Sequence, residues 1–276
     1  MKRLFAALPA VFLTAACGGG AALGGGGFAY AVPSSGPLVY ERADTSSIAV
    51  EVEGMGSLEM MATQLATLEL DMAPSASGVQ VTATVRDYKG SMNNPMAGTM
   101  TAGTSDIEGP LVFTVDAKGH GALLERPEVK GAAQTFFSPE TVALTLLPLL
   151  PPDGTAAGDS WSDSIRFSAE ADGAESLYEW KGTLTLAGDT VVDGRTLTKV
   201  TFTADVSLVT TGNMQGMDMT QTAAGGESGY YLWDPERRVV VYYETMSDMG
   251  GEIEVSMAPA PMPLSVVNVV RTRLVN

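Results

Sequence analysis

Val79-Gln80-Val81-Thr82-Ala83-Thr84-Val85-Arg86 alternates apolar and polar side chains along its whole length. A period of two puts Val79, Val81, Ala83 and Val85 on one face of an extended chain, with the polar set on the other. That is a strand with one dry and one wet face, the usual pattern of an antiparallel sheet. The same period holds on the N-terminal side. Ala66, Leu68, Leu70 and Met72 alternate with Thr67, Glu69 and Asp71, and Ile48, Val50 and Val52 alternate with Ala49, Glu51 and Glu53. Segment 58–72 also fits a helix carrying Met61, Leu65, Leu68 and Met72 on one side, but the alternation at its end favours a strand. Turn chemistry separates the strands. Val192-Asp193-Gly194-Arg195 has the form of a two-residue type I′ hairpin. Asp116-Ala117-Lys118-Gly119, Asp234-Pro235-Glu236 and the segment from Pro74 to Gly78 read as longer turns. An antiparallel meander follows.

One helix is expected, near 139–147. Ser138 can cap it, Pro139 suits its first position, Glu140 complements its dipole and Pro148 stops it. Val142, Ala143, Leu144, Leu146 and Leu147 make it apolar on nearly every side, so protein must cover it. After it comes LPLLPPDGTAAGDSW (147–161). Its prolines stiffen a crossover, Gly158 permits a bend and Trp161 buries a large apolar area at the start of the second half. This stretch resembles crossovers of uncharacterised bacterial secreted proteins and lipoproteins, in which a Pro-rich loop enters a strand through Gly-Asp-x-Trp. Residues 65–125 and 182–244 repeat one order of features: strand, turn, strand, Met-rich segment, strand pair. The mature chain therefore reads as one β-rich domain, 38–276, with room for two similar lobes, 38–137 and 158–276.

The N-terminus reads as an address. MKRLFAALPAVFLTAA (1–16) has a basic start at Lys2 and Arg3, a short apolar stretch from Leu4 to Leu13, then small residues before Cys17. About ten apolar residues cannot cross a bilayer core as a helix, so a signal peptide is expected. Its end resembles the lipobox of bacterial lipoproteins, with Thr14 where leucine is usual. The resemblance implies cleavage before Cys17 and lipidation of its thiol. It also implies a membrane partner reached through the N-terminal anchor. Gly18 after the cysteine, in place of an inner-membrane retention aspartate, points to the outer membrane facing the periplasm. Residues 17–37, rich in Gly, Ser and Pro, read as a mobile tether.

Composition removes whole classes of function. Sixteen Lys and Arg stand against 32 Asp and Glu, a net charge of −16 that repels phosphate backbones, so nucleic acid is not an expected partner. Hydrophobic residues make up 45% of the chain, enough for a core. A single cysteine allows no intrachain disulfide. No G-x-S-x-G, H-E-x-x-H or GKS/T element occurs. His120, alone in a glycine turn, is expected to be solvated. Asp153, Asp159, Asp163, Asp189 and Asp193 lack calcium-loop spacing and serve turns. No enzymatic activity, cofactor or metal site is expected.

The methionines are unusual: 15 of them, clustered as Met92, Met96, Met100 and as Met214, Met217, Met219. Thioethers either fill an adaptable apolar wall or hold Cu(I), and MQGMDM (214–219) has both spacings that copper would use. The expected fold is mainly β: a long twisted antiparallel sheet forming a half-open barrel, with one short apolar helix on its concave side. The plan is similar to the Lol-type and LppX-type lipoprotein carriers, whose half-open barrels hold acyl chains. That resemblance implies a non-enzymatic envelope lipoprotein sheltering an apolar, lipid-like ligand. Leu144, Leu147, Trp161, Met217 and Met219 are the candidate wall. A Met-rich Cu(I)-binding lipoprotein and a structural or partner-binding envelope protein are the alternatives.

Overall fold

A computed structural model describes residues 27–276 apart from Met55, Met96, Ala97, Asp172, Gly173, Gln215, Gly216, Met257 and Pro259, and apart from the side chains of Ala171, Met214 and Met217. The expected signal peptide, Cys17 and the tether as far as residue 26 lie outside the described residues.

Alternation in the sequence becomes strand throughout. In chain order the elements are β1 (Leu38–Val52), β2 (Gly56–Ser75), β3 (Gly78–Asn94), β4 (Gly98–Gly103), β5 (Ile107–Glu108), β6 (Leu111–Val115), β7 (Gly121–Glu125) and β8 (Glu128–Val129). Then come α1 (Ala133–Phe136), α2 (Pro139–Thr145), β9 (Ser160–Ala171), β10 (Ala174–Val192), β11 (Arg195–Met214), β12 (Met217–Asp234), β13 (Val239–Val255) and β14 (Met262–Leu274). The ambiguous 58–72 stretch is strand, inside β2. One curled antiparallel sheet runs β7-β6-β3-β2-β1-β14-β13-β12-β11-β10-β9, with β4 added on β3. The first half of the chain builds outward from β1, and the second half returns to lay β14 against β1. The segments 65–125 and 182–244 thus lie on opposite sides of the β1–β14 seam within a single sheet. The sheet ends, β7 and β9, are the two strands that the crossover joins.

The turns are built as their residues dictate. Asp193 and Gly194 have φ of 49° and 77°, the left-handed pair of a type I′ hairpin. Asp234 Oδ1 accepts from the Glu236 and Arg237 amides, both at 3.0 Å. Register shifts at Thr67/Leu68, Leu186/Gly188 and Leu232/Trp233 add local twist that helps the sheet to curl.

Following the register, the concave face carries the even-numbered residues of β1, β11 and β14 and the odd-numbered ones of β9, β12 and β13. One end of this trough is filled. Leu38, Tyr40, Leu70, Val200, Tyr231 and Trp233 pack there with α2 and the crossover into the main core. The N-terminal segment closes it. Tyr30 is buried, its amide donates to Ala117 O at 3.1 Å, and its hydroxyl donates to Pro148 O at 2.8 Å. Mobility as far as residue 37 therefore does not hold. The Gly- and Pro-rich surroundings of Phe28 and Tyr30 signal irregular backbone, but two aromatic rings find an apolar floor to dock on.

Candidate functional site

Helix α2 forms as its residues require. Ser138 Oγ accepts from the Thr141 amide at 3.2 Å, and Pro139 occupies the first turn. Glu140 does more than complement the dipole: it is buried, with the Arg126 guanidinium 2.8 Å from its carboxylate. The helix packs against β6, β7 and β9, so it covers the gap between the two sheet ends. It lies close to β7: a Cβ on Gly121 would come within 2.9 Å of the Leu144 side chain.

The crossover is threaded through the interior, where every backbone carbonyl needs a donor. Tyr30 supplies Pro148 O, Tyr231 supplies Leu149 O at 2.7 Å, and Lys118 Nζ supplies Pro151 O at 3.0 Å. The prolines lower the demand from the other side, since they carry no N–H to satisfy. Gly158 has φ of 93° and donates to Leu186 O at 2.7 Å, which makes the expected bend.

Beyond this plug lies a cavity of about 140 Å³. Thr141, Leu144, Thr145 and Leu149 form its helix side, and Ile165, Leu184, Phe202 and Val206 form its sheet side. Tyr178, Trp180, Tyr231 and Tyr243 add aromatic walls. Where the trough leaves the helix, a polar belt crosses it: Arg42, Asp44, Glu227, Thr245, Ser247 and Asn268. Beyond the belt a second apolar cluster forms around Val50, Ala223 and Leu264. Met249 lines the cavity and packs against both apolar clusters.

The belt is electrostatically costly. Arg42 is only 8% exposed, and its Nη1 has no hydrogen-bond partner. Burial lowers its pKa, while Asp44 and Glu227 act through space to raise it. Burial likewise pushes the carboxyls of Asp44 and Glu227 up. Glu227 accepts from Trp180 Nε1 at 3.0 Å, a bond that works against this rise.

Of the candidates named from sequence, Leu144 lines this cavity. Leu147 does not; at 4% exposure it is packed into the main core instead, because α2 ends before it and the chain turns inward. Trp161 also lies off the cavity. It is half-buried at the start of β9 against the core, as its role in pinning the second half requires. Met219 is on the concave face, but at the far rim, opposite Gly212 and Val255. The side chains of Met214 and Met217 lie outside the described residues, as does Met96. Met92 and Met100 face each other across β3 and β4 and pack onto the core. Arg42, Glu227 and Met249 were not singled out from sequence. One signal for Arg42 is readable: Leu38, Tyr40, Arg42, Asp44, Ser46, Ile48 and Val50 share a face, so a charged pair sits inside an otherwise largely apolar stripe.

No family model and no curated protein matches the chain. Among solved structures, the chain is similar to Neisserial surface protein A, at 6% identity over 85% of this chain and 96% of that one, with a TM-score of 0.22. It is also similar to the β domain of the Bordetella autotransporter BrkA, at 8% identity over 86% and 99%, with a TM-score of 0.27. A third is Acinetobacter baumannii OccAB2, at 8% identity over 90% and 100%, with a TM-score of 0.25. Overlaps this small assign neither fold nor activity. Among the described residues no group of three or more His, Cys, Asp or Glu could hold a metal ion.

The one histidine ties the two ends of the sheet together. Its ring nitrogens lie 3.1 Å from Asp116 Oδ2, in its own turn, and 3.1 Å from Asp163 Oδ1 on β9. The side chain is exposed, as expected, but it also has a partner on β9, which the curl brings near and turn chemistry does not report. Partial burial lowers the His120 pKa, but the bonds to Asp163 and Asp116 outweigh it and hold the group above its usual 6.5. A raised histidine stabilises the fold fully below 6.5, and the gain is lost as pH rises through the folded value. His120→Ala should therefore lower stability near pH 6, by less than ~1 kcal/mol because the ring is half-exposed and screened. The difference should vanish at alkaline pH, well above the folded value. Urea unfolding at the two pH values measures it, and an equal loss at both would contradict the assignment.

Proposed function

We propose that this chain is a non-enzymatic, lipid-anchored protein of the bacterial envelope that shelters an apolar, lipid-like ligand between α2 and the concave face of its sheet. The anchor is the Cys17 thiol, and the favoured location is the outer membrane facing the periplasm. The reading of the address rests on the sequence from Lys2 to Cys17. The reading of the ligand rests on one observation: a cavity with mostly apolar and aromatic walls lies under the helix, where a packed core would have none. Its size, about 140 Å³, is close to that of an engineered cavity that takes up benzene, so it seats one ring or a short run of methylenes while the rest of a longer molecule lies along the open trough.

The test is an apolar fluorophore. Purified chain stripped of bound lipid should brighten 1-N-phenylnaphthylamine, and Leu144→Trp, which puts an indole into the cavity, should abolish most of the signal. Native mass spectrometry of unstripped material should show a retained small molecule. Absence of both signals would end the reading. Intact-mass measurement decides the anchor separately: cleavage before Cys17 with added acyl mass is expected, and an unmodified N-terminus would refute it.

A further inference from the structure

We infer that the ligand carries a neutral hydrogen-bond acceptor, an ester or amide carbonyl, that is held by the buried Arg42 side chain while its apolar chain lies against the concave face. This rests on the apolar-ligand reading above and names the ligand's polar end.

Arg42 carries the argument. It is a concave residue of β1 and lines the cavity, and its Nη1 is buried without a partner. A buried donor left unmade is expensive, and a charged one more so. An oxygen lone pair entering the cavity would satisfy it once a small turn of the guanidinium brings Nη1 to the open space. Arg42 also sits where the apolar pocket under α2 gives way to the polar belt, the place where the end group of an amphiphile would come to rest.

Charge decides which oxygen. Asp44 and Glu227 line the same cavity, on strands either side of the β1–β14 seam. A carboxylate or phosphate end group would be a third negative charge in a site poorly screened by water. A carbonyl offers the same lone pairs with no charge. Met249 adapts the rest: its flexible side chain packs in both apolar clusters, so a chain longer than the cavity can follow it along the trough.

Displacement of 1-N-phenylnaphthylamine by three probes of similar length tests this. Methyl decanoate should bind about ten-fold more tightly than undecane, the worth of one hydrogen bond to a charged donor. At neutral pH it should also bind more tightly than decanoate. Arg42→Met should remove the margin of the ester over undecane. Glu227→Gln, which keeps an acceptor for Trp180, should raise decanoate affinity towards that of the ester. The wild-type panel decides even where Arg42→Met does not fold. Equal binding of ester and undecane, or tightest binding of decanoate, would overturn the inference while leaving the sheltered cavity intact. Failure of every probe to displace the fluorophore, or of the fluorophore to bind, would overturn both.

Discussion

Gly251→Ala is expected to destabilise the fold by at least ~3 kcal/mol, whereas Gly250→Ala, one residue earlier, should change it by no more than about 0.5 kcal/mol. The two differ only in the face they occupy. Gly251 is on the concave side of β13, opposite Ala223 of β12. A Cβ there would run into the Thr222 carbonyl oxygen and lie 2.7 Å from Ala223 Cα, both main-chain atoms that cannot rotate away. Gly225 repeats the arrangement from the other strand, with its Cβ 2.7 Å from Met249 Cα. Gly250, on the outer face, has nothing within 4 Å of its Cβ position. The two strands therefore approach so closely on the inside of the curl that only glycine fits. Adding a methyl forces them apart, which flattens the sheet where Met249 joins the two apolar clusters. Urea midpoints for the two variants, read by tryptophan fluorescence, give the comparison. A Gly251→Ala protein as stable as its neighbour would mean that the curl at β12–β13 is shallower than described.

The glycines show where sequence reading reaches its limit. Alternation in 79–86, 66–72 and 48–52 identifies strands and their buried faces, because a period of two is a local property. Ser138-Pro139-Glu140 identifies the helix start for the same reason, as Asp193-Gly194 does the tight hairpin. The β1–β14 pairing is different. Tyr40 meets Leu274 only after the whole chain has gone out and come back, and no local pattern encodes that closure. His120 finds Asp163 across a different closure, between the two ends of the sheet. Leu147 and Trp161 were expected on the cavity wall because they are large and apolar near the helix. Apolar character marks burial, however, and does not distinguish a core position from a cavity lining. The residues that make the cavity chemically particular, Arg42, Asp44 and Glu227, are polar residues at concave positions. Only a known register sets Glu227 on the same face as Arg42, since β12 begins 165 residues after β1 ends (217 − 52) and β14 and β13 lie between them in the sheet.

Trp233→Ala should cost about 4 kcal/mol, the range for removing a large aromatic from a core. The ring is 1% exposed, and two aromatic rings of the N-terminal segment pack on it. Tyr30 packs edge-on against it, with centroids 5.7 Å apart at 84°, and Phe28 lies at 6.2 Å. Tyr30 in turn holds Pro148 O, and Lys118 Nζ holds Phe28 O at 2.8 Å. Trp233 is thus the floor on which the N-terminal segment docks, and that segment in turn grips the crossover following α2. Removing the indole leaves a void that the stiff, Pro-rich crossover cannot collapse into, which places the cost towards the upper part of the range. A second readout separates this account from plain loss of core. Trp233→Ala should expose residues 28–37 to protease under conditions where the sheet is still folded. Tyr30→Ala should expose the same segment with a smaller loss of global stability, since the sheet keeps its own tryptophan. Equal unfolding costs for the two variants, or a segment that stays protected in Trp233→Ala, would show that the docking does not depend on the ring.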